Sequence, residues 1–419
     1  MESISLGTRS FDNVRVDEYW NFGEKKEDKM HQIHTYPAKF PSFITTKAIE
    51  YAQEKNIHIE TVGDLFCGCG TVAYESAKYG FDFWGCDVNP VAALIARVKS
   101  KKLSSEKLIK YYERILVLYE DSSNCSLNEN SVNDRIMYWF EPERVCELYR
   151  MLSAIEKVCK NDKDYEDFFL CAFSNILKAT SRWLTKSIKP TIDKSKITKS
   201  VLYYFKKQFT KMYSANHDSK INARASVKIE VLDSLKIDQV EKVDLLVTSP
   251  PYVTSYEYAD LHQLSLLWLK FTDDYRVYRK DTIGSVYEKK IDEKGSLNII
   301  GEEILSQLKY NKDSKSRTKA IKKYYSDMEK IVEKAFNLIK NDGMALFVIG
   351  NTEYRGVRIK NAEHLALAMQ ENGFREINVT RRKISNKILT PYRDKNGKFS
   401  KDKNGKKVYS EEFIVVGRK

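Results

Sequence analysis

The chain has 419 residues, is 42% hydrophobic and carries a formal net charge of +13. That much apolar material supports a sizeable core and excludes a wholly disordered chain. No run of about 18 apolar residues occurs, which excludes a helical membrane span, and the opening MESISLGTRSFDN lacks a signal peptide's apolar core, so a cytoplasmic setting is expected.

Residues 1–30 read as a polar arm, and HTYPAKFPSF as a proline-bounded loop leading into a helix from about Ser42. IETVGDLF is a strand, GCGTVAYESAKYG a glycine turn and a helix that Gly80 ends, FDFWGCDVNP a second strand and VAALIARVKSKK a second helix. This β-α-β-α order belongs to a parallel sheet. Residues 101–226 change character, with helical spacing and no clear strands, and read as a helical insertion. Strands resume at VKIEVLDS and KVDLLVTS. Residues 253–325 are expected to be mostly helical, with a mobile section near 276–317. A long amphipathic helix through NLIKNDG, a buried strand MALFVIGN, a helix NAEHLALAMQENGF and the strands REINVTRRKI and EEFIVVGR complete the pattern. Between the last two strands, D-K-N-G occurs twice; Asn-Gly favours hairpin turns, so this basic stretch reads as a protruding hairpin loop or a disordered one.

The fold class expected is therefore α/β, a Rossmann-like sheet with helices on both faces and a large helical insertion. Residues 1–100 hold the arm and the first half of the core, 101–226 the insertion, and 227–419 the second half. The seven cysteines are odd in number and include no C-x-x-C pair, so they read as reduced thiols with no metal site and no disulfide frame.

Two windows hold the positive charge. Residues 178–228 carry 13 Lys/Arg against 2 Asp/Glu, and residues 381–407 carry 11 against 2, leaving −7 over the rest. Two basic patches on an acidic body point to a polyanion partner.

The turn Asp64-Leu-Phe66-Cys67-Gly68-Cys-Gly70-Thr71 joins a strand to a helix, and its glycines let the backbone approach a ligand. Gly68-x-Gly70-x-x-Ala73 also satisfies the loose dinucleotide fingerprint, with Asp87 and Val88 at the tip of the next strand to meet ribose hydroxyls. Asp64 favours a different ligand. A pyrophosphate is ill served by a carboxylate at the strand tip, whereas S-adenosylmethionine (SAM) carries an ammonium and a sulfonium and no phosphate. Asp233, ending the next strand, stands where an adenine amino group could be met, or is a loop cap.

Ser249-Pro250-Pro251-Tyr252 follows a buried strand. The prolines fix φ and remove two N–H donors, so the corner offers acceptors. The Ser249 hydroxyl and the Pro250 carbonyl could hold both hydrogens of an exocyclic amine while Tyr252 stacks on the base, a contact worth about 1–3 kcal/mol.

Together, Phe66-x-Gly68-x-Gly70 and Ser249-Pro-Pro-Tyr252 resemble the SAM-dependent amino-methyltransferases of DNA. The resemblance covers about 31–100 and 227–419. It implies that Tyr36, Pro37, Ala38, Lys39 and Phe40 are cofactor neighbours on the methionine side. It implies direct methyl transfer to a base turned out of double-stranded DNA. The SPPY form goes mainly with N4 of cytosine, and N6 of adenine remains an alternative. A restriction-modification setting, with a separate endonuclease as partner, is a further implication. The insertion carries no named motif, and its basic stretch SRWLTKSIKPTIDKSK is expected to touch DNA through Arg182, Lys186, Lys189, Lys194 and Lys196. Arg381, Arg382, Arg393, Lys395 and Lys398 are the expected contacts of the second patch. An RNA or protein amino-methyltransferase, and a nucleic-acid-binding scaffold with a relic SAM fold, are the rival readings.

Overall fold

The computed structural model describes residues 10–21, 27–37, 39–121, 132–238, 242–253, 257–280, 282–285, 287, 295–310, 315–354, 356–384, 392–393, 402, 406–407 and 411–419. An N-terminal arm of short 3-10 turns precedes α1 (Ser42–Glu54), β1 (Thr61–Asp64), α2 (Thr71–Tyr79), β2 (Asp82–Asp87) and α3 (Pro90–Lys99). Gly80 ends α2 at φ 86°, a conformation that favours glycine. Asn89 starts α3 by accepting from Val91 N, with Pro90 at the first helical position.

Five helices follow: α4 (Ser105–Asp121), α5 (Asp134–Trp139), α6 (Pro142–Cys159), α7 (Lys163–Thr180) and α8 (Val201–Asp218). Their apolar stripes meet in one aromatic-rich core around Phe168, Phe169, Phe173, Phe205 and Phe209. That core is continuous with α3 through Leu94, Ile95 and Val98, so the insertion is packed onto the sheet's helical layer.

The chain then returns to the sheet through β3 (Val227–Val231) and β4 (Val243–Thr248). Next come α9 (Tyr258–Leu261), α10 (Gln263–Trp268), α11 (Ile299–Tyr310), α12 (Lys315–Leu338) and β5 (Ile339–Ile349). The small hairpin β6 (Thr352–Tyr354) and β7 (Val357–Ile359) leads to α13 (Asn361–Glu371), β8 (Arg375–Lys383), β9 (Tyr392–Arg393), β10 (Lys406–Lys407) and β11 (Glu411–Arg418).

The seven-stranded sheet has the order β3-β2-β1-β4-β5-β11-β8. β11 runs antiparallel to both its neighbours, and the other six strands are parallel to one another. Every residue of β4 is buried, as expected of a strand covered on both faces. Leu246 points into one helical layer, and Leu245 and Val247 into the other. From β1 the chain winds outward to β2 and β3, then re-enters beside β1 as β4. The crevice between the ends of β1 and β4 is thus the topological switch point, where open α/β sheets bind ligands.

Some expectations need correction. The long helix stops at Leu338, five residues before Gly343, and β5 begins at once. The bend at Asp342 (φ 64°) and Gly343 lies inside β5, where β4 and β5 also shift register. Part of the stretch expected to be mobile is core: Ile300, Ile304, Leu305 and Leu308 of α11 are buried against α12 and α13. Residues 281, 286, 288–294 and 311–314 of that stretch lie outside the described residues. The arm also does more than trail: Val16 bridges Arg381 beside β8, and Phe11 N donates to the buried Glu363. Of the basic hairpin, the ladder of Tyr392 and Arg393 with Lys407 and Lys406 is described, while both Asn-Gly turns lie outside the described residues.

Candidate active site at the tips of β1 and β4

β1 ends on Asp64 and β4 on Thr248, side by side in the sheet's centre. The Thr248 hydroxyl donates to Asp64 Oδ1 at 2.6 Å, and Phe66 N donates to the same oxygen at 2.9 Å. Burial nevertheless pushes the Asp64 carboxyl up to about 7, the two hydrogen bonds only partly offsetting it. Asp87, at the tip of β2, is pushed up to about 6 by burial, against bonds from Asn89 N and Gly68 N.

The turn between them passes close to its neighbours. Gly68 and Gly70 have φ of 50° and 74°, in the left-handed region. A Cβ on Gly70 would lie 2.6 Å from Ala96 Cα, so only glycine allows α2 and α3 this approach. Phe66 packs against one helical layer, Cys67 against the other and Cys69 against the insertion's core; Thr71, the first residue of α2, is buried. Burial pushes the Cys67 thiol well above its ordinary value, which does not suit a nucleophile. Val88 is half-buried beyond Asp87.

Across the crevice, the Ser249 hydroxyl donates to Val348 O at 3.1 Å, leaving its lone pairs available as acceptors. Pro250 is buried, and Pro251 and Tyr252 are half-buried. The Tyr252 hydroxyl donates to Glu412 Oε1 at 3.0 Å, and Arg382 Nη2 holds the other oxygen of Glu412. The tyrosine ring is thereby oriented from β11 and β8. Glu412 was not visible in advance as a site residue; its only trace is a pair of acids opening an otherwise apolar strand.

The segment 34–40 approaches the turn from the insertion's side. Tyr36 Cε1 and its hydroxyl lie 3.7 Å from where a Gly68 Cβ would be, and its ring stacks on His262 with centroids 5.1 Å apart. Pro37 and Phe40 are half-buried nearby in sequence, and Ala38 lies outside the described residues. Lys39 is held by Glu27 at 2.6 Å and by His31 O at 3.3 Å. Asp233 acts as a cap: its side chain accepts from Leu235 N and pairs with Lys236.

The expected DNA contacts divide. Lys186, Lys189 and Lys194 are exposed on the 181–200 loop. Arg182 is held by Glu141 and Phe140 O, and Lys196 donates to Lys178 O and Trp183 O, so both fasten the loop from beneath. Burial, with Lys178 nearby, brings the Lys196 ammonium down to about 8. Arg381 donates to Asp12 O in the arm. Arg382 is a correction: at 3% exposure and paired with Glu412, it orients the tyrosine and is not available to a phosphate. Arg393 lies in β9, and Lys395 and Lys398 lie outside the described residues.

Two raised carboxyls beside a glycine turn suit a ligand with positive charge and no phosphate, and this donor set fits SAM. Among the described residues no group of His, Cys, Asp and Glu could hold a metal ion, and no helix is long and apolar enough to cross a membrane. A cavity of about 510 Å³ lined by Asp17, Tyr51, Lys55 and Glu376 shares none of the residues of this site.

No protein-family model matches the chain. It is 23% identical to the Type II methyltransferase M.MvaI of Kocuria varians, over 92% of this chain and 90% of that one. It is likewise 23% identical to the Type II methyltransferase M.AvaI of Anabaena variabilis, over 88% and 85%. Among solved structures, the rRNA methyltransferase aviRa from Streptomyces viridochromogenes aligns over 92% of this chain and 88% of its own at 9% identity and a TM-score of 0.31, an overlap too slight to carry an argument. The fold rests instead on its own strand order, and the likeness to M.MvaI spans both the glycine turn and the SPPY corner that meet here. The chain is similar to these Type II methyltransferases along most of its own length and most of theirs.

Proposed function

We propose that the chain is a site-specific DNA methyltransferase acting on the exocyclic amino group of a base turned out of the duplex, with N4 of cytosine as its target. The observation that carries this reading is the Thr248–Asp64 hydrogen bond, which puts the SPPY corner and the cofactor turn at one crevice. When bound, SAM supplies an electrophilic methyl group on a sulfonium.

The protein's own residues do the rest. Asp64 and Asp87 offer carboxylates to the cofactor's cationic and hydroxyl groups. Tyr252, braced by Glu412, presents a ring face on which the base stacks. Ser249 and the Pro250 carbonyl accept the two amine hydrogens and draw the nitrogen lone pair toward the methyl. Ser249 and the Pro250 carbonyl would hold the amine nitrogen in place for methyl transfer, and the amine's surplus proton would leave to solvent. No covalent enzyme–base bond is needed, so catalysis is positioning and electrostatics. Lys186, Lys189 and Lys194 would meet phosphates, making the insertion part of target recognition. A cytoplasmic setting and a separate endonuclease partner complete the proposal.

The test is nucleoside mass spectrometry and methylation-sensitive sequencing of DNA from a host expressing the chain. N4-methylcytosine at a fixed sequence, lost with Ser249→Ala, is expected. N6-methyladenine would reassign the base, and label in RNA or protein alone would overturn the DNA reading.

A further inference from the structure

Between α7, α10 and the cofactor turn lies a group of basic side chains the mechanism above does not use. Lys99 is 1% exposed, and its Nζ hydrogen-bonds the thiol of Cys69, inside the turn, at 3.2 Å. His262 is 4% exposed and stacked on Tyr36, and its Nε2 is buried without a partner. His34 is half-buried, with Nε2 3.0 Å from Ser174 Oγ, which is 2.8 Å from Ser265 Oγ, three residues along from His262. Among the described residues no carboxylate is hydrogen-bonded to or ion-paired with any of these three. Buried polar atoms normally have partners, and a buried ammonium normally has an acid. A thiol is a weak acceptor and leaves the charge of Lys99 nearly uncompensated.

We propose that Lys99, His262 and His34 form a subsite for the α-carboxylate at the amino-acid end of the cofactor. Lys99 meets the turn at Cys69, His262 reaches it through Tyr36 beside Gly68, His34 stands against Ser174 of α7, and Tyr36 and His34 form the half-exposed side. The two raised carboxyls, Asp64 and Asp87, belong to the tips of β1 and β2, so an anionic group of the same ligand is better placed against the insertion's side. Lys99 supplies the charge, His262 a ring nitrogen, and the Tyr36–His262 stack sets the wall. This assignment rests on the SAM reading and extends it to residues on α3 and α10. It also gives the cofactor a direct hold on α7 through His34 and Ser174, and so on the helical insertion.

The test is calorimetric binding of S-adenosylhomocysteine and of its carboxamide, in which the carboxylate is neutral. The wild-type chain should bind the acid about tenfold to a hundredfold more tightly than the carboxamide. Lys99→Met should close most of that gap by weakening the acid alone. His262→Phe, which keeps the ring stack, should close part of it. Lys99→Arg keeps the charge and should keep the gap, and it controls for folding. A wild-type gap below about threefold, or equal weakening of both ligands in Lys99→Met and His262→Phe, overturns the subsite. Failure of the wild-type chain to bind either ligand overturns the cofactor reading itself, a distinguishable result.

Discussion

The hydroxyl of Thr248 donates to the carboxylate of Asp64 across 2.6 Å, fastening the last residue of β4 to the last residue of β1. Both groups are buried, so this bond both sets the spacing of the two tips and restores part of the acidity that burial takes from Asp64.

Thr248→Val keeps the shape and removes the donor. Asp64 then loses a bond to its ionised form, and its carboxyl should titrate higher still. A stability loss of about 1–3 kcal/mol is expected in denaturant unfolding, together with weaker SAM binding. Unchanged values for both would show that the tie is incidental.

SAM affinity should depend on pH. A cationic cofactor favours ionised Asp64, which titrates near 7, and Asp87, which titrates near 6. Binding should therefore tighten from pH 5.5 toward pH 8, and Asp64→Asn should flatten the upper part of that rise. Stability of the ligand-free chain should move the other way. The unfolded chain ionises Asp64 near 3.8 and the folded chain only near 7, so this residue's contribution declines as pH rises between those values. Calorimetry and unfolding across that range check both signs.

Tyr252→Phe keeps the ring and removes its bond to Glu412. Turnover should fall several-fold, while SAM affinity holds. Tyr252→Ala removes the stacking face as well and should lower turnover by roughly tenfold to a hundredfold, the equivalent of about 1–3 kcal/mol. Arg382→Met should be the most destabilising of the set, by about 3 kcal/mol, because it leaves Glu412 partly buried without its cation. Steady-state methylation and thermal unfolding separate these effects.

Replacing Lys186, Lys189 and Lys194 together by alanine should weaken DNA binding and leave SAM binding intact. If each neutralises one phosphate, the slope of log affinity against log salt should flatten by about 2.7. An unchanged slope would remove the loop from the interface.

Much of this was legible from local pattern. The strand–turn–helix around Gly68 and the corner at Ser249 are short-range features, written in glycine, proline and apolar runs. Their meeting at one crevice follows from strand order, which a β-α-β-α start makes probable but does not specify. Long-range partners left no such trace. Glu412 reaches Tyr252 from 160 residues away, and nothing in its immediate neighbours distinguishes it from any acid at a strand's start. Arg382 fails for the same reason: in a basic run it reads as surface charge, and only the placement of β8 beside β11 buries it. Asp233 had both readings open, and the geometry of a turn, cast by its neighbour Leu235, favours the cap.

The reversed strand β11 lies between β5 and β8, and it carries the acid that steadies Tyr252. A nascent polypeptide that has emerged only as far as the SPPY corner therefore holds the corner's sequence without its brace. If Tyr252 stacks on the base as proposed, chains that stop short of β11 would carry the corner without the acid that steadies it.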